Sequence, residues 1–403
     1  MQPSFGFGDR LGLATPGHLD ALRAHGGPIQ PIFAQQSIRE MNRTQRKPSQ
    51  VLEDAQQALR SARYQDAWGA DADHIKTQED INATAGAGFV YFTIDPSDHV
   101  NSEADRYSSE ELHKQFQDVR DDANWADDYL GRQIRLSKDL TFDFDVNAVR
   151  RLAVKYGRAI SHAIKLSEHI DRIMTKREAA YEIELSVDET PNPLTPIEHY
   201  VLGEQCLQSG MKLASVAPRF AERFESGVDF RGDLDAFRRR LSQHALVAQS
   251  IGPYKLSLHS GSDKFSLYET FAKVTGGLFH IKTAGSSYLE ALRVAARRDG
   301  RLFRRIIEFS RKRFEADRDT YLVSAELKNA PTPGAISDDA QLEKYYLDQD
   351  DGRQILHVSF GSVLTDTNLG ALLRDVLEEH PDLHRELLAE HFGKHLRALR
   401  RGL

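Results

Sequence analysis

Residues 254–285 read YKLSLHSGSDKFSLYETFAKVTGGLFHIKTAG, and this stretch decides the fold. It opens on a short apolar strand that turns polar at HSGSDKF (259–265). A helical run follows over 266–275, then a Gly-Gly turn and a second strand, GLFHIKTAG (277–285), that again ends polar. Strand, helix, strand in that order is a parallel crossover unit. Polar residues at the C-terminal ends of such strands predict a barrel whose loops at one rim carry chemistry.

The unit recurs along the chain. Six earlier strand candidates are SFGFGDR (4–10), PIQPIFAQQS (28–37), WGADADHIK (68–76), GFVYFTIDPSD (88–98), YEIELSVDET (181–190) and MKLASVAPRF (211–220). Helical patterns lie between most of them, at 16–26, 49–64, 77–85, 196–209, 233–251, 266–275 and 286–298. Eight units predict closure into a (β/α)8 TIM-type barrel over residues 1–300. An open doubly wound sheet is the runner-up. It would want a G-x-G-x-x-G turn after a strand, and the chain has none. Residues 99–178 are charged and helix-periodic. They read as a helical insertion near 99–150 followed by the returning helix of the fourth strand. Residues 301–403 read as a C-terminal extension packed on the barrel. It holds a strand-like piece, ILHVSFGSVLT (355–365), and a helix pair broken at His380-Pro381.

A chain of 403 residues suits a barrel of ~250 residues with insertions. Hydrophobic residues at 40% and charged residues at 28% are the mix of a soluble globular protein. A net charge of −7 argues against a nucleic-acid partner. No apolar run reaches the ~18 residues of a membrane span. The opening MQPSFGFGDRLGLATPG lacks a basic region followed by an apolar one, so it does not read as a secretory signal. The single cysteine, Cys206, cannot form an internal disulfide, and its helical surroundings VLGEQCLQSG suit a packed thiol better than a nucleophile. The expectation is a cytoplasmic protein with a small-molecule substrate. A homo-oligomer stays open.

Period-two alternation assigns the strand faces. Ile183, Leu185 and Val187 face the outer helices. Glu184, Ser186 and Asp188 face the interior, with Glu189 at the rim. Ser257 and His259 face inward. His280 and Lys282 share one face, as do Tyr91, Thr93 and Asp95, and His74 and Lys76. A lone barrel histidine is more often a satisfied core group than a ligand. Three at the rim of three strands tilt the reading towards a divalent metal under a sugar-like substrate. Glu189 also fits an acidic helix-start position before Pro191. Lys282 suits an anion clamp or a pair with Asp188 better than a Schiff-base nucleophile. His162, His169, His380, His384, His391 and His395 lie in polar helical runs that read as solvated faces. Around Asp9 and Arg10, Gly6, Gly8 and Gly12 would let a ligand approach the backbone, or would simply shape a strand-to-helix turn with a local ion pair.

Several blocks carry a resemblance. SFGFGDRLGLATPGH, SVDET, SVAPRF, KLSLHSGSDKFS, FHIKTAGSSYLEALR and HVSFGSVL (357–364) are similar to the tagaturonate epimerase family of bacterial uronate catabolism. Relatives of that family also interconvert tagatose and fructose at carbon 4. The first five blocks scatter over roughly 4–300, and HVSFGSVL lies beyond them. Members of the family carry more residues ahead of the FGFGDR block, so the resemblance implies a chain either trimmed or naturally short at that end.

The resemblance implies a metal-dependent ketose 4-epimerase acting on a keto-uronate or a free ketohexose. Carbon 4 of a 2-ketose is not α to the carbonyl, so enolisation cannot invert it. Cleavage between carbons 3 and 4, rotation of the aldehyde fragment and re-addition can. The enediolate left behind needs charge stabilisation, which a divalent metal supplies. Zinc leads, with manganese, nickel or cobalt as alternatives. The ligand set implied is His74, Glu189, His259 and His280, with His357 or Asp188 as substitutes. Asp95 or Asp188 would move the hydroxyl proton, with Asp9 and Asp263 next. Arg10, Arg219, Lys264 and Lys282 are cations for a uronate carboxylate, and Lys76 is a further substrate-binding candidate. A metal-dependent aldolase that releases its fragments is the alternative function.

Overall fold

In the computed structural model, which describes residues 1–220 and 224–403, eight parallel strands close into a barrel. They are β1 (Ser4–Phe7), β2 (Gln30–Ser37), β3 (Gly69–Ile75), β4 (Tyr91–Ile94), β5 (Glu182–Val187), β6 (Leu213–Pro218), β7 (Lys255–Leu258) and β8 (Phe279–Thr283). Each pairs with its neighbours in sequence order, and β1 pairs with β8 to close the ring. All eight strands read from the sequence are present. The helices that follow the first seven are α1 (Thr15–His25), α2 (Pro48–Ser61), α3 (Gln78–Ala87), α4 (Val146–Lys176), α5 (Pro196–Gln208), α6 (Leu234–Ile251) and α7 (Tyr268–Val274).

Local chemistry places the boundaries. Thr195 caps α5 by accepting from the backbone of Glu198, whose carboxylate accepts from the Thr195 N–H in return, and Pro196 fills the first helical turn. In β5, Ile183, Leu185 and Val187 are wholly buried towards the helices, and Glu184 and Ser186 are wholly buried on the other face. Gly8, just past β1, allows a close approach: a Cβ there would lie 2.4 Å from the carbonyl oxygen of Thr283.

Two departures matter for the site. After β8 the chain forms α8 (Ser286–Arg298) and α9 (Gly300–Asp317), then α10 (Asp350–Val358), α11 (Phe360–Thr365), α12 (Leu369–Glu379) and α13 (Pro381–Arg400). The last helix, α13, packs against α1 and α7, which is the place of the eighth barrel helix. The segment 301–403 is therefore not wholly an outer layer, because its end completes the ring. This also corrects the reading of His384, His391 and His395 as solvated. His384 and His395 are buried, and the His391 side chain is 12% exposed.

The strand-like piece 355–365 is also corrected, since it lies in α10 and α11. Ile355, Leu356, Val358, Phe360 and Val363 all bury into a second apolar core under α8 and α9. Residues 352–360 are buried throughout, so the apolar run within them imitates a strand. The insertion after β4 carries two α-helices, Ser109–Val119 and Ala126–Tyr129, among turns and loops. It also holds a small antiparallel hairpin, Gln133–Arg135 with Thr141–Asp143, whose three-residue strands are too short to show alternation. Among the described residues, no helix is long and apolar enough to cross a membrane. Cys206 is buried, and burial pushes its thiol up to about 12, as suits a packed group.

Candidate active site

The C-terminal strand ends build an acid-rich basin around one lysine. Asp71 and Asp73 alternate with alanine in β3, so both point inward. Lys282 reaches them from β8, its Nζ lying 2.8 Å from Asp71, 2.8 Å from Asp73 and 2.9 Å from Glu184 of β5. It also donates to the Thr93 hydroxyl of β4. Burial alone would lower the Lys282 pKa, but Asp71, Asp73 and Glu184 overcome it and hold the group well above its ordinary value. A Schiff-base nucleophile must be a neutral amine. Lys282 is instead the counter-charge of the basin.

Two histidines stand over this layer. His259, just past β7, has Nε2 2.6 Å from Glu184 Oε1 and Nδ1 3.1 Å from Asp188 Oδ1. His74 has a positive φ of 51°, where the β3–β4 register also shifts. That backbone turn breaks the expected pairing of faces. Asp73 and His74, although adjacent, both line the cavity, and Lys76 turns away to Asp98 at 2.9 Å and Asp95 at 3.7 Å. His74 Nδ1 lies 3.0 Å from Asp95 Oδ2, and its Nε2 lies 3.8 Å from Asp73 Oδ1. The His74 and His259 ring centroids are 5.0 Å apart.

One donor atom each from Asp73, His74 and His259 falls within 4.8 Å of the others, the spacing of a candidate cation site. His74, Asp95 and Glu189 form a second such group. His280 belongs to neither. It sits one layer deeper, with Nδ1 3.0 Å from the Ser4 hydroxyl and Nε2 3.9 Å from Asp71, and burial pushes its pKa down.

The carboxylates differ in what holds them. Asp95 is buried and accepts from the Ser97 backbone N–H at 3.0 Å and from the Ser97 hydroxyl. Burial would raise its pKa, but the His74 hydrogen bond and charge leave it well below the ordinary value. Asp188 is 19% exposed and lines the cavity, and Ser186 donates to its Oδ1. Glu189 lines the cavity and pairs with Arg39 at 2.9 Å.

Other sequence candidates are placed elsewhere. Asp9 accepts from the backbone N–H groups of Leu11, Gly12 and Ala14, so it shapes the turn into α1. Asp263 binds Arg353 at 2.6 Å and His391 at 2.7 Å, which ties α13 to the loop after β7. Lys264 is fully buried and donates to the carbonyls of Glu225, Val228 and Ser262. Arg10 does line the cavity, but it is buried, forks onto Glu40 and stacks 3.6 Å over Phe360. Arg219 lines the cavity and donates to the Thr190 carbonyl.

The cavity measures about 560 Å³, within the range of small-molecule sites. One wall comes from beyond the barrel, where Thr320, Tyr321, Leu322 and His357 join Arg39 of the helix Ile38–Thr44. The sequence reading missed Asp71, Asp73, Arg39 and Tyr321. The alternation ADAD in β3 was a signal for the first two. No sequence signal brings Tyr321 to the rim, since a long excursion of the chain does so.

Comparison with known proteins gives one consistent result. A match to the tagaturonate epimerase family runs over residues 1–399. A tagaturonate/fructuronate epimerase from Thermotoga maritima is 39% identical over 396 residues, covering 98% of this chain and 80% of that protein. A glycerol-complexed crystal structure of the fructuronate-tagaturonate epimerase from Cohnella laeviribosi superposes with a TM-score of 0.92 at 33% identity, covering 99% of this chain and 81% of that one. The native crystal structure of the same enzyme gives 0.91 at 34% identity, with the same coverage.

Proposed function

The chain belongs to the tagaturonate epimerase family, an isomerase-class family of enzymes, and from that premise we propose that it interconverts D-tagaturonate and D-fructuronate by inverting carbon 4, counted from the ketose end. The observation that carries the reading is the acid-rich rim with its paired imidazoles.

The donor set fits a divalent metal, zinc first. Asp73, His74 and His259 each offer one atom, and Glu189 is in reach of His74. Nδ1 of His259 is buried, and its nearest charged neighbour is the Asp188 carboxylate at 3.1 Å, with no well-aligned hydrogen bond among the described residues. The second nitrogen of each ring faces a carboxylate, Asp95 for His74 and Glu184 for His259, which fixes ring orientation as outer carboxylates do around ligating histidines. Bound there, a divalent metal would supply Lewis-acid stabilisation of negative charge on the substrate's oxygens.

The chain's own groups do the rest. Asp188 takes the proton from the 4-hydroxyl. Carbon 4 becomes an aldehyde as the bond between carbons 3 and 4 breaks, and that electron pair passes into the three-carbon enediolate. The aldehyde turns its other face, the bond re-forms, and Asp188 returns the proton to the new 4-hydroxyl. Lys282 holds Asp71, Asp73 and Glu184 in place throughout.

Product analysis tests the reading. Metal-loaded enzyme should convert fructuronate to tagaturonate, and chelated enzyme should not. Net accumulation of three-carbon fragments would instead identify an aldolase.

Protons compete with a cation for these imidazoles. Burial would lower the pKa of His259, but Asp188 and Glu184 raise it to about 9. Burial would likewise lower the His74 pKa, but Asp73 and Glu189 outweigh it and hold the group well above its ordinary value. A histidine raised in the folded state stabilises fully below its unfolded value of 6.5, and that contribution is lost as pH rises through the folded value. Metal-free protein should therefore lose thermal stability between pH 6.5 and about 9, while divalent-metal affinity climbs over the same window. Melting curves of chelated protein and metal titrations across that range check this. Rising stability of the metal-free form, or flat affinity, contradicts it.

A further inference from the structure

The cavity wall where the segment after the barrel meets the helix Ile38–Thr44 holds three polar atoms that the chain leaves unmet. Nε of Arg39, the hydroxyl of Tyr321 and Nδ1 of His357 are each buried without a hydrogen-bond partner among the described residues. Buried polar atoms are seldom left so. All three residues line the same cavity. They also cluster, with Arg39 Cζ 5.6 Å from the Tyr321 ring centre and the His357 ring centre 5.7 Å from it. His357 is 4% exposed and sits between two glycines. A Cβ at Gly285 would fall 2.1 Å from its Cε1, and one at Gly227 would fall 3.2 Å from its Cγ. The fold thus reserves space for this imidazole at the cavity.

The charge of this wall selects the ligand. Arg10 is paired with Glu40 and Arg39 with Glu189, but Arg43, 5.1 Å from the Tyr321 ring, has the Thr320 hydroxyl as its partner. Asp319 is the one acid of this segment on the cavity, and it is exposed. Burial first, then Arg10 and Arg353, hold the His357 pKa well below its ordinary value, so the ring is neutral and its Nδ1 is free to take the donor tautomer towards a ligand. Donors surrounded by guanidinium charge suit an anion. The lysines at the strand ends do not compete for it, since Lys282 is taken by three carboxylates and Lys264 by backbone carbonyls.

We propose that Arg39, Tyr321 and His357 bind the terminal carboxylate of the substrate, so that the segment after the barrel distinguishes keto-uronates from free ketohexoses. The inference rests on the keto-uronate reading above and extends it to a site. It also fits the chemistry of carbon 4. After cleavage the aldehyde fragment is carbons 4 to 6, which carries the carboxylate. Anchored there, the fragment can present its other face by turning about the bond between carbons 4 and 5 without leaving the cavity.

The test uses D-gluconate and D-glucitol, a six-carbon chain with and without the carboxylate, titrated calorimetrically into metal-loaded parent, Tyr321→Phe and His357→Gln proteins. Tyr321→Phe removes a single oxygen, so it keeps the fold intact should His357→Gln disturb it. The parent should prefer gluconate, and each variant should reduce that preference roughly 10–100-fold. Turnover should follow, with kcat/KM on fructuronate falling by the same factor and that on fructose staying within roughly threefold. Equal binding of the two probes by the parent, or an unchanged preference in Tyr321→Phe, overturns the proposal. If the parent prefers gluconate, the variants lose the preference and neither sugar is turned over, the keto-uronate function fails and the carboxylate wall stands.

Discussion

Asp188→Asn should lower turnover by roughly 10²–10⁴-fold while the protein keeps its fold and its metal, since general acid–base groups typically contribute that much. The assignment follows from what each rim carboxylate already does. Asp95 accepts from His74 and twice from Ser97, and Lys76 lies 3.7 Å away. Every part of it is engaged in holding His74. Asp188 engages one oxygen, Oδ1, with Ser186 and His259, and lies at the cavity surface. An asparagine fits the same space and cannot accept the proton. Full turnover in this variant contradicts the role and moves it to Glu189. Loss of the metal would make Asp188 a ligand.

Lys282→Met should destabilise the metal-free protein by about 3–5 kcal/mol, the cost of leaving buried charge uncompensated. For 403 residues that is a fall of roughly 5 °C in the unfolding midpoint. Asp71, Asp73 and Glu184 all lie within 2.9 Å of its ammonium, and all are buried. Burial would raise the pKa of Asp73 and Glu184, yet Lys282 foremost keeps both below their ordinary values. Thermal melts of chelated protein measure the effect. Parental stability would show that the basin carries protons instead of leaning on Lys282.

The barrel was legible because each strand declares its register. EIELSV alternates strictly, and a strand buried on the helix side and polar inside has few other readings. The same alternation brought His259, Lys282 and Asp188 to one rim. It misled at His74, because a single left-handed residue undoes the period, and period two cannot foresee it. It could not rank depth either. His280 and Lys282 share a face of β8, but they sit in successive layers, and only Lys282 reaches the cavity. The wall bearing Tyr321 and His357 stayed hidden for a different reason. Its residues belong to helices and turns whose apolar runs fill a second core, and tertiary packing alone swings them over the barrel mouth. The imidazoles of α13 looked solvated for the same reason, since nothing local announces that a helix more than eighty residues past the last strand closes the ring.

The central claim is inversion of carbon 4 by cleavage and re-addition, and fructuronate carrying deuterium on carbon 4 tests it most directly. That carbon–hydrogen bond is never broken when the neighbouring carbon–carbon bond is, so the tagaturonate formed in ordinary water should keep the label in full. Loss of the label to solvent would show direct deprotonation at carbon 4 and contradict the account.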